Sequence, residues 1–355
     1  MTRIVMVNAT SLASGGGLTI LNQYLDNLVT RAEDEAVYYI FVPDTCKSSN
    51  KRENIIYIRN TDNKFYKSRN HWNLRGMRKW CKSNKIWPDE LYSMQNYFPF
   101  GFERDVKFKT LYLQQSIPFF EYEWSFLKKD ERILWFYKNI YYYLIKKSVE
   151  EADKIIVQTE WLKNRIVDNF GYGKDKIVVE RPIINIIDIE AYQFIDGLKG
   201  KFRLFYPASD VLYKNHEVLY KAMDIVVNHF KIDDVVLYLT LDQSSMTAVR
   251  FIEKFRLENN VVLIGKLNYQ QVMDYYKSVS ALVFPSKIET FGLPLVEAQQ
   301  FKLPIIASDM ELYREVIGDY DARVMYCSSA SGEVWARAIM ELRQYAHINF
   351  VRNGV

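Results

Sequence analysis

Short apolar runs alternate with helically spaced stretches along the chain, and this limits the fold more than any other feature. The runs Ile4–Asn8, Tyr38–Val42, Asn54–Ile58, Thr110–Leu113 and Lys154–Val157 read as strands. A second series follows at Arg203–Tyr206, Val235–Leu241, Val261–Ile264, Ala281–Phe284, Ile305–Ala307 and Arg323–Tyr326. Helical patterns fall at Leu18–Leu28, His216–His229 and Gln270–Lys277, and a last one runs from Gly332 to about His347. Strands apolar on both faces need helices on both sides, which points to parallel sheets in doubly wound α/β domains. A chain of 355 residues suits two such cores. The pattern weakens from Ile183 to Lys201, just after Arg181-Pro182. The expected division is residues 1–185, residues 200–330, and a terminal helix over 331–355 that is free to return toward the first domain. Ligands of such sheets bind beyond the carboxyl ends of the strands, so the cleft between the two domains is the expected site.

The net charge of +4 is too small for a general polyanion binder, so no nucleic-acid partner is expected. The charge is uneven, however. Eleven Lys/Arg stand against Glu53 and Asp62 between Lys51 and Lys85. That segment is either a solvated basic loop or a contact for an anionic membrane surface or a phosphate-bearing acceptor. Phe119 to Lys147 interleaves aromatic residues, Trp124, Trp135 and Tyr141 among them, with lysines 128, 129, 138, 146 and 147. It is either a core helix or an interfacial one. Cys46, Cys81 and Cys327 form neither a disulfide framework nor a metal motif. With no signal-peptide pattern and no apolar run of membrane-spanning length, a cytoplasmic protein, soluble or peripheral, is expected.

The segment Phe284-Pro285-Ser286-Lys287-Ile288-Glu289-Thr290-Phe291-Gly292-Leu293-Pro294-Leu295-Val296-Glu297-Ala298 carries the densest chemistry. It reads as strand, tight loop and helix, the helix running from Leu293 to near Lys302. The N–H groups of Phe291, Gly292 and Leu293 then fall at a helix N-terminus, which favours an anion. Glu289 lies on one side of that cradle and Glu297 one turn into the helix. A nucleotide sugar needs such an arrangement, because its diphosphate separates a hexose from a ribose. Lys214 follows the first strand of the second domain, where a cation can neutralise a diphosphate leaving group, and Asn215 resembles an N-cap. Gly265, Lys266 and Leu267 leave a strand with backbone expected to be free for a planar base. In the first domain, Gly16 and Gly17 belong to a Gly-rich loop that can approach a ligand closely. The scattered histidines His71, His216, His229 and His347 support neither a nucleophilic triad nor a zinc site.

These motifs together resemble the family-4 retaining glycosyltransferases of the GT-B fold, and most of all those that build bacterial O-antigen or capsule. The likeness is greatest from Val261 to Asp309 and extends to Ala152–Thr159 and Tyr213–His216. It implies two Rossmann-like domains facing a central cleft. It also implies transfer of a hexose from a UDP-, GDP- or dTDP-linked sugar to a polyprenyl-diphosphate-linked glycan, with no cofactor and no metal. In that reading Glu289 holds the sugar hydroxyls and Glu297 the ribose, and Thr290, Phe291, Gly292 and Leu293 cradle the donor. Lys214 stabilises the departing diphosphate, Gly16 and Gly17 approach donor and acceptor, and Gly265 to Leu267 line the base pocket. Two positions depart from the family pattern. Ser209 stands where an arginine is usual, and Gln114 or Gln115, on the acceptor side, stands where many members have a histidine. Two other readings are a GT-B nucleotide-sugar epimerase, which needs no acceptor, and a non-catalytic nucleotide-sugar-binding module.

Overall fold

The structure is a computed structural model that describes residues 2–46, 52–103, 106–184 and 188–352, with side chains as far as Ala346. Lys51, which opens the basic run, residues 185–187 in the boundary stretch and the His347 side chain lie outside the described residues. The chain divides into two compact units, Met1–Ile183 and Ile184–Val355.

The first unit is built from β1 (Arg3–Asn8), α1 (Gly15–Arg31), β2 (Ala36–Val42), β3 (Ile55–Arg59), α2 (Arg69–His71), a π-turn at Trp72–Gly76 and α3 (Met77–Asn84). It continues with β4 (Glu90–Ser93), β5 (Phe108–Tyr112), α4 (Arg132–Asn139), α5 (Tyr141–Glu151), β6 (Lys154–Val157), α6 (Glu160–Phe170) and β7 (Ile177–Val179). Its seven strands run in the order β3-β2-β1-β4-β5-β6-β7, every pair parallel. The second unit holds β8 (Phe202–Tyr206), α7 (His216–Asp224), β9 (Val235–Leu239), α8 (Met246–Phe255), β10 (Val261–Leu263) and α9 (Tyr269–Ser278). After these come β11 (Ala281–Phe284), α10 (Leu293–Gln300), β12 (Ile305–Ser308), α11 (Glu311–Ile317), β13 (Val324–Cys327) and α12 (Gly332–Arg352). The six strands follow the order β10-β9-β8-β11-β12-β13, again all parallel.

β9, β11 and β12 are buried at every residue, as a sheet covered on both faces requires. Two strands lie outside the expected series. β4 holds only Leu91 and Tyr92 between the polar ends Glu90 and Ser93, and β7 is a three-residue edge strand. The glycines 15–17, expected as a loop, form the first turn of α1. Glycine costs about 1 kcal/mol per residue in a helix, but Ile20, Leu21, Leu25 and Leu28 bury one face of α1 and offset that cost. The aromatic segment divides between its two readings. Leu134, Tyr141, Ile145 and Val149 of α4 and α5 enter the core, whereas Leu127, Ile133 and Tyr143 stay exposed. Within the second unit, α12 runs along α7. A Cβ on Gly332 would come 2.6 Å from the Lys221 Cβ, and Arg343 clasps Asp234 through two hydrogen bonds, of 2.9 and 2.6 Å.

Candidate functional site

In each sheet the chain winds outward from one central strand and then returns to its other side. These reversals fall between β1 and β4 and between β8 and β11. The carboxyl ends of such a strand pair open a crevice with unpaired loops, where open α/β sheets take their ligands. In the second unit the two loops are Pro207–Asn215 after β8 and Pro285–Gly292 after β11. They carry Lys214 and Glu289.

The structure joins those two residues as an ion pair between Lys214 Nζ and Glu289 Oε1. The side chains are 17% and 14% exposed, so the pair is little screened by water. Buried groups hold both loops. The hydroxyl of Tyr206, at the end of β8, donates to the Lys214 carbonyl at 2.8 Å. The Lys287 N–H donates to the Tyr213 carbonyl at 2.8 Å. The Tyr313 hydroxyl donates to the Ser286 carbonyl at 3.0 Å. Asn215 corrects its expected role as a capping side chain. Its φ is +58° and its side chain makes no cap; the amide instead donates to Pro285 O at 3.1 Å and Ser329 O at 2.8 Å. The left-handed backbone turns the side chain away from α7, and Asn tolerates that conformation better than most residues.

α10 starts at Leu293, with Gly292 as its cap at φ +90°. A Cβ at Gly292 would meet Leu295 Cδ1 at 3.1 Å and Phe284 Cε1 at 3.5 Å, so both the backbone angle and the space favour glycine. Pro294 takes a first-turn position, where its missing N–H costs nothing. The Leu295 N–H turns back to the Gly292 carbonyl at 2.9 Å. The start of α10 is therefore fixed, with the positive end of its dipole at Gly292 and Leu293. Thr290 and Phe291 complete the loop, Phe291 buried and Thr290 partly so.

Glu297, expected with Glu289 as a pair, has a partner of its own. Its Oε2 accepts from the Tyr276 hydroxyl at 3.1 Å. Burial pushes the Glu297 carboxyl up to about 7, against a smaller lowering by Tyr276. Burial likewise pulls His216 down to about 4, with Asp210 opposing and Lys214 assisting, so this imidazole is neutral at pH 7. Ser209 is exposed on the β8 loop, and its carbonyl accepts from the Val211 N–H at 2.9 Å.

Gly265 departs from expectation. Its N–H donates to Leu241 O at 2.8 Å and is not free for a base. The segment keeps a left-handed Gly265, φ +75°, with open space where a Cβ would stand. Lys266 is exposed and Leu267 half-buried.

At the reversal of the first sheet, Gly16 and Gly17 open α1 after β1, and Gln95 and Asn96 follow β4. With its amide oriented to suit its neighbours, the Gln95 side chain accepts from the N–H groups of Thr10 (2.8 Å) and Ser11 (3.0 Å). Asn96, at φ +68°, accepts from the Gln114 N–H at 2.6 Å. The Gln114 amide reaches the Met94 carbonyl at 3.5 Å, and Gln115 folds back to accept from the Ile117 N–H at 3.2 Å. Gln115 thus spends its side-chain oxygen on its own turn.

Tyr206, Tyr276, Asn96 and Gln95 escaped the sequence reading. The tyrosines resemble any core aromatic in a chain with 26 of them, and only the fold shows whose carbonyl or carboxylate the hydroxyl meets. Asn96, in Gln95-Asn96-Tyr97, carried the usable signal, since Asn is enriched at positive φ. Among the described residues no three His, Cys, Asp or Glu side chains gather as a cation site, and no helix is long and apolar enough to cross a membrane.

Residues 188–344 match the family described as Glycosyl transferases group 1. The chain is 21% identical to the O-antigen chain mannosyltransferase RfbU of Salmonella typhimurium, over 59% of this chain and 56% of that protein. It spans about half the length of the curated relatives it matches. Among solved structures, a glycosyltransferase from Rickettsia africae superposes with a TM-score of 0.65 at 17% identity, covering 97% of this chain and 88% of that one. The Anabaena HepE protein in complex with UDP-glucose gives 0.63 at 13% identity, covering 98% and 91%. The sheet orders and these likenesses agree: residues 188–344, within the second unit, match a Glycosyl transferases group 1 domain, and the chain has the GT-B fold of its structural neighbours.

Proposed function

We propose that this protein is a retaining, metal-independent glycosyltransferase. It takes a hexose from a nucleotide-diphosphate sugar and adds it to a polyprenyl-diphosphate-linked glycan during bacterial surface polysaccharide synthesis, at the cytoplasmic face of the membrane. The observation that carries this reading is the Lys214–Glu289 pair at the mouth of α10. Two residues 75 positions apart in sequence meet where a helix start can grip a diphosphate. The relatives' named activities and the UDP-glucose complex of the Anabaena protein support the substrate class.

In the proposed reaction the donor diphosphate lies against the N–H groups at Gly292 and Leu293. Lys214 turns from Glu289 to the phosphate oxygens and stabilises the charge that builds as the anomeric C–O bond breaks. Glu289, released from its ion pair, accepts hydrogen bonds from the hexose hydroxyls and fixes the ring. The leaving phosphate oxygen takes the acceptor's proton as the acceptor oxygen bonds to the same face, so the configuration is kept. The enzyme acts by position and by fixed charge.

Glu297 accepts hydrogen bonds from the ribose hydroxyls, and only its ionised form accepts with both oxygens. With the carboxyl at about 7, donor affinity is expected to be about tenfold weaker near pH 6 than near pH 8, because the competent form is correspondingly scarce at the lower pH. Glu297→Gln removes that dependence, and calorimetric titration at the two pH values checks it. The same shift acts on stability. The folded carboxyl holds its proton above 4.5, where the unfolded chain has lost it. Its contribution is therefore most favourable below about pH 4.5 and declines by at most about 3 kcal/mol as pH rises through 7.

A thermal-shift screen with UDP-, GDP- and dTDP-sugars tests the substrate class, since a ligand of the folded state raises its apparent stability. One nucleotide series is expected to raise the melting temperature, and Lys214→Ala to abolish the rise. No response to any of them contradicts the proposal. Donor turnover without an acceptor would favour the epimerase reading.

A further inference from the structure

We propose that the first unit carries a second ligand site, a cationic hollow beside Trp87 that holds a phosphate ester joined to an apolar or planar body. This goes beyond the transfer reading and does not rest on it. Arg75, at the end of the π-turn, and Arg78, Lys79 and Lys82 of α3 recur at the spacing that puts side chains on one helix face. The other face, with Trp72, Met77, Trp80 and Cys81, is buried. The four cations line an open hollow of about 550 Å³ that is walled by Leu74, Trp87, Phe100 and Gly101, and no acid among the described residues lines it.

Two nearby acids among the described residues are engaged elsewhere. Asp89 pairs with Lys107 and also accepts from the Ile4 N–H, and Glu103 pairs with Lys147. Among the described residues none of the four cations makes an ion pair. Like charges one helical turn apart each cost a few tenths of a kcal/mol, so the cluster is unfavourable until an anion joins it. Gly101 adds a shaped feature. At φ +87°, a Cβ there would lie 2.8 Å from Arg78 Cδ and 3.0 Å from Nη1, so the absent side chain leaves the guanidinium room to lie across the backbone.

Guanidinium and ammonium groups converging on one hollow suit phosphate oxygens, because arginine offers a planar fork of donors and lysine a compact charge. The walls add the second half of the ligand. Trp87 is 37% and Leu74 55% exposed, so apolar surface stands directly beside the charge. The hollow runs along the outside of α3. Trp87 leads into β4 at its amino end, whereas Leu74 and Phe100 adjoin Asn73, whose side chain accepts from Asn8 at the carboxyl end of β1. A phospholipid headgroup and a soluble aryl or acyl phosphate share the required chemistry.

Two binding assays separate those sources: co-sedimentation with phosphatidylcholine vesicles with and without phosphatidylglycerol, and calorimetric titration with naphthyl phosphate. Binding in either arm is expected, and the arm that responds names the source. Arg78→Glu with Lys82→Glu should weaken it by more than about tenfold. Lys174→Glu with Lys176→Glu, an equal charge change on an exposed turn of the same unit, should leave it within about twofold. Far-ultraviolet circular dichroism confirms that both variants fold. Absence of binding in both arms overturns the proposal, and so does equal weakening by the two variants, which would reduce the hollow to diffuse surface charge.

Discussion

Lys214→Ala is expected to lower the transfer rate by about a hundredfold to a thousandfold while the protein stays folded, the loss typical of removing one preorganised charge-stabilising group. Glu289→Ala should cost a similar factor for a different reason, since it frees the sugar ring to rotate away from the geometry of attack. Each single change also strands a charge that is now shielded from water. A cost of about 1–3 kcal/mol in stability follows, because the surviving partner keeps its burial and loses its counter-ion. The double variant Lys214→Ala with Glu289→Ala should therefore melt higher than at least one of the singles while remaining inactive. Its rate should fall little below the worse single, since groups serving one transition state are not additive. Steady-state rates with melting curves for all three variants check this. A double variant whose losses multiply would show that the two residues act independently.

Phe284→Ala is expected to remove about 3–5 kcal/mol of stability, the cost of truncating a fully buried phenylalanine. Phe284 ends β11 at 0% exposure. Its ring centroid lies 5.8 Å from that of Tyr206 and 5.2 Å from that of Tyr313, both edge-on contacts. Gly292 passes over the same ring. Tyr206 holds the Lys214 carbonyl and Tyr313 holds the Ser286 carbonyl. One ring thus supports both loops of the site and the start of α10. Donor affinity measured on the folded fraction should fall as well, which a purely global loss of stability would not produce. Phe284→Leu, which keeps part of the volume but loses both edge-on contacts, should cost less than Phe284→Ala and retain more of the binding. Urea unfolding with nucleotide titration of the folded variants separates the two effects.

What the sequence disclosed follows from how locally each feature is encoded. β11 could be read residue for residue, because Ala281-Leu282-Val283-Phe284 is apolar throughout and Pro285 bounds it. The start of α10 was legible because Gly292 and Pro294 do different jobs on the two sides of a helix start. β4 was hidden because Glu90 and Ser93 flank only Leu91 and Tyr92, so its place beside β1 is set by tertiary pairing. The first turn of α1 was hidden by its glycines, whose preference the buried leucines override. Within the site, residue types and loop positions could be read, whereas partners could not. Nothing local says that Lys214 meets Glu289, that Tyr276 donates to Glu297, or that the Gly265 N–H is already taken by Leu241. Those facts depend on which strands adjoin, and the order of strands is a property of the whole sheet.

The most direct test of the central claim is a crystal structure of this protein with the nucleoside diphosphate that the screen selects. The diphosphate is expected against the backbone N–H groups of Gly292 and Leu293, with Lys214 swung from Glu289 to a phosphate oxygen and the ribose hydroxyls on Glu297. A nucleotide bound elsewhere, with the Lys214–Glu289 pair still closed, would contradict it.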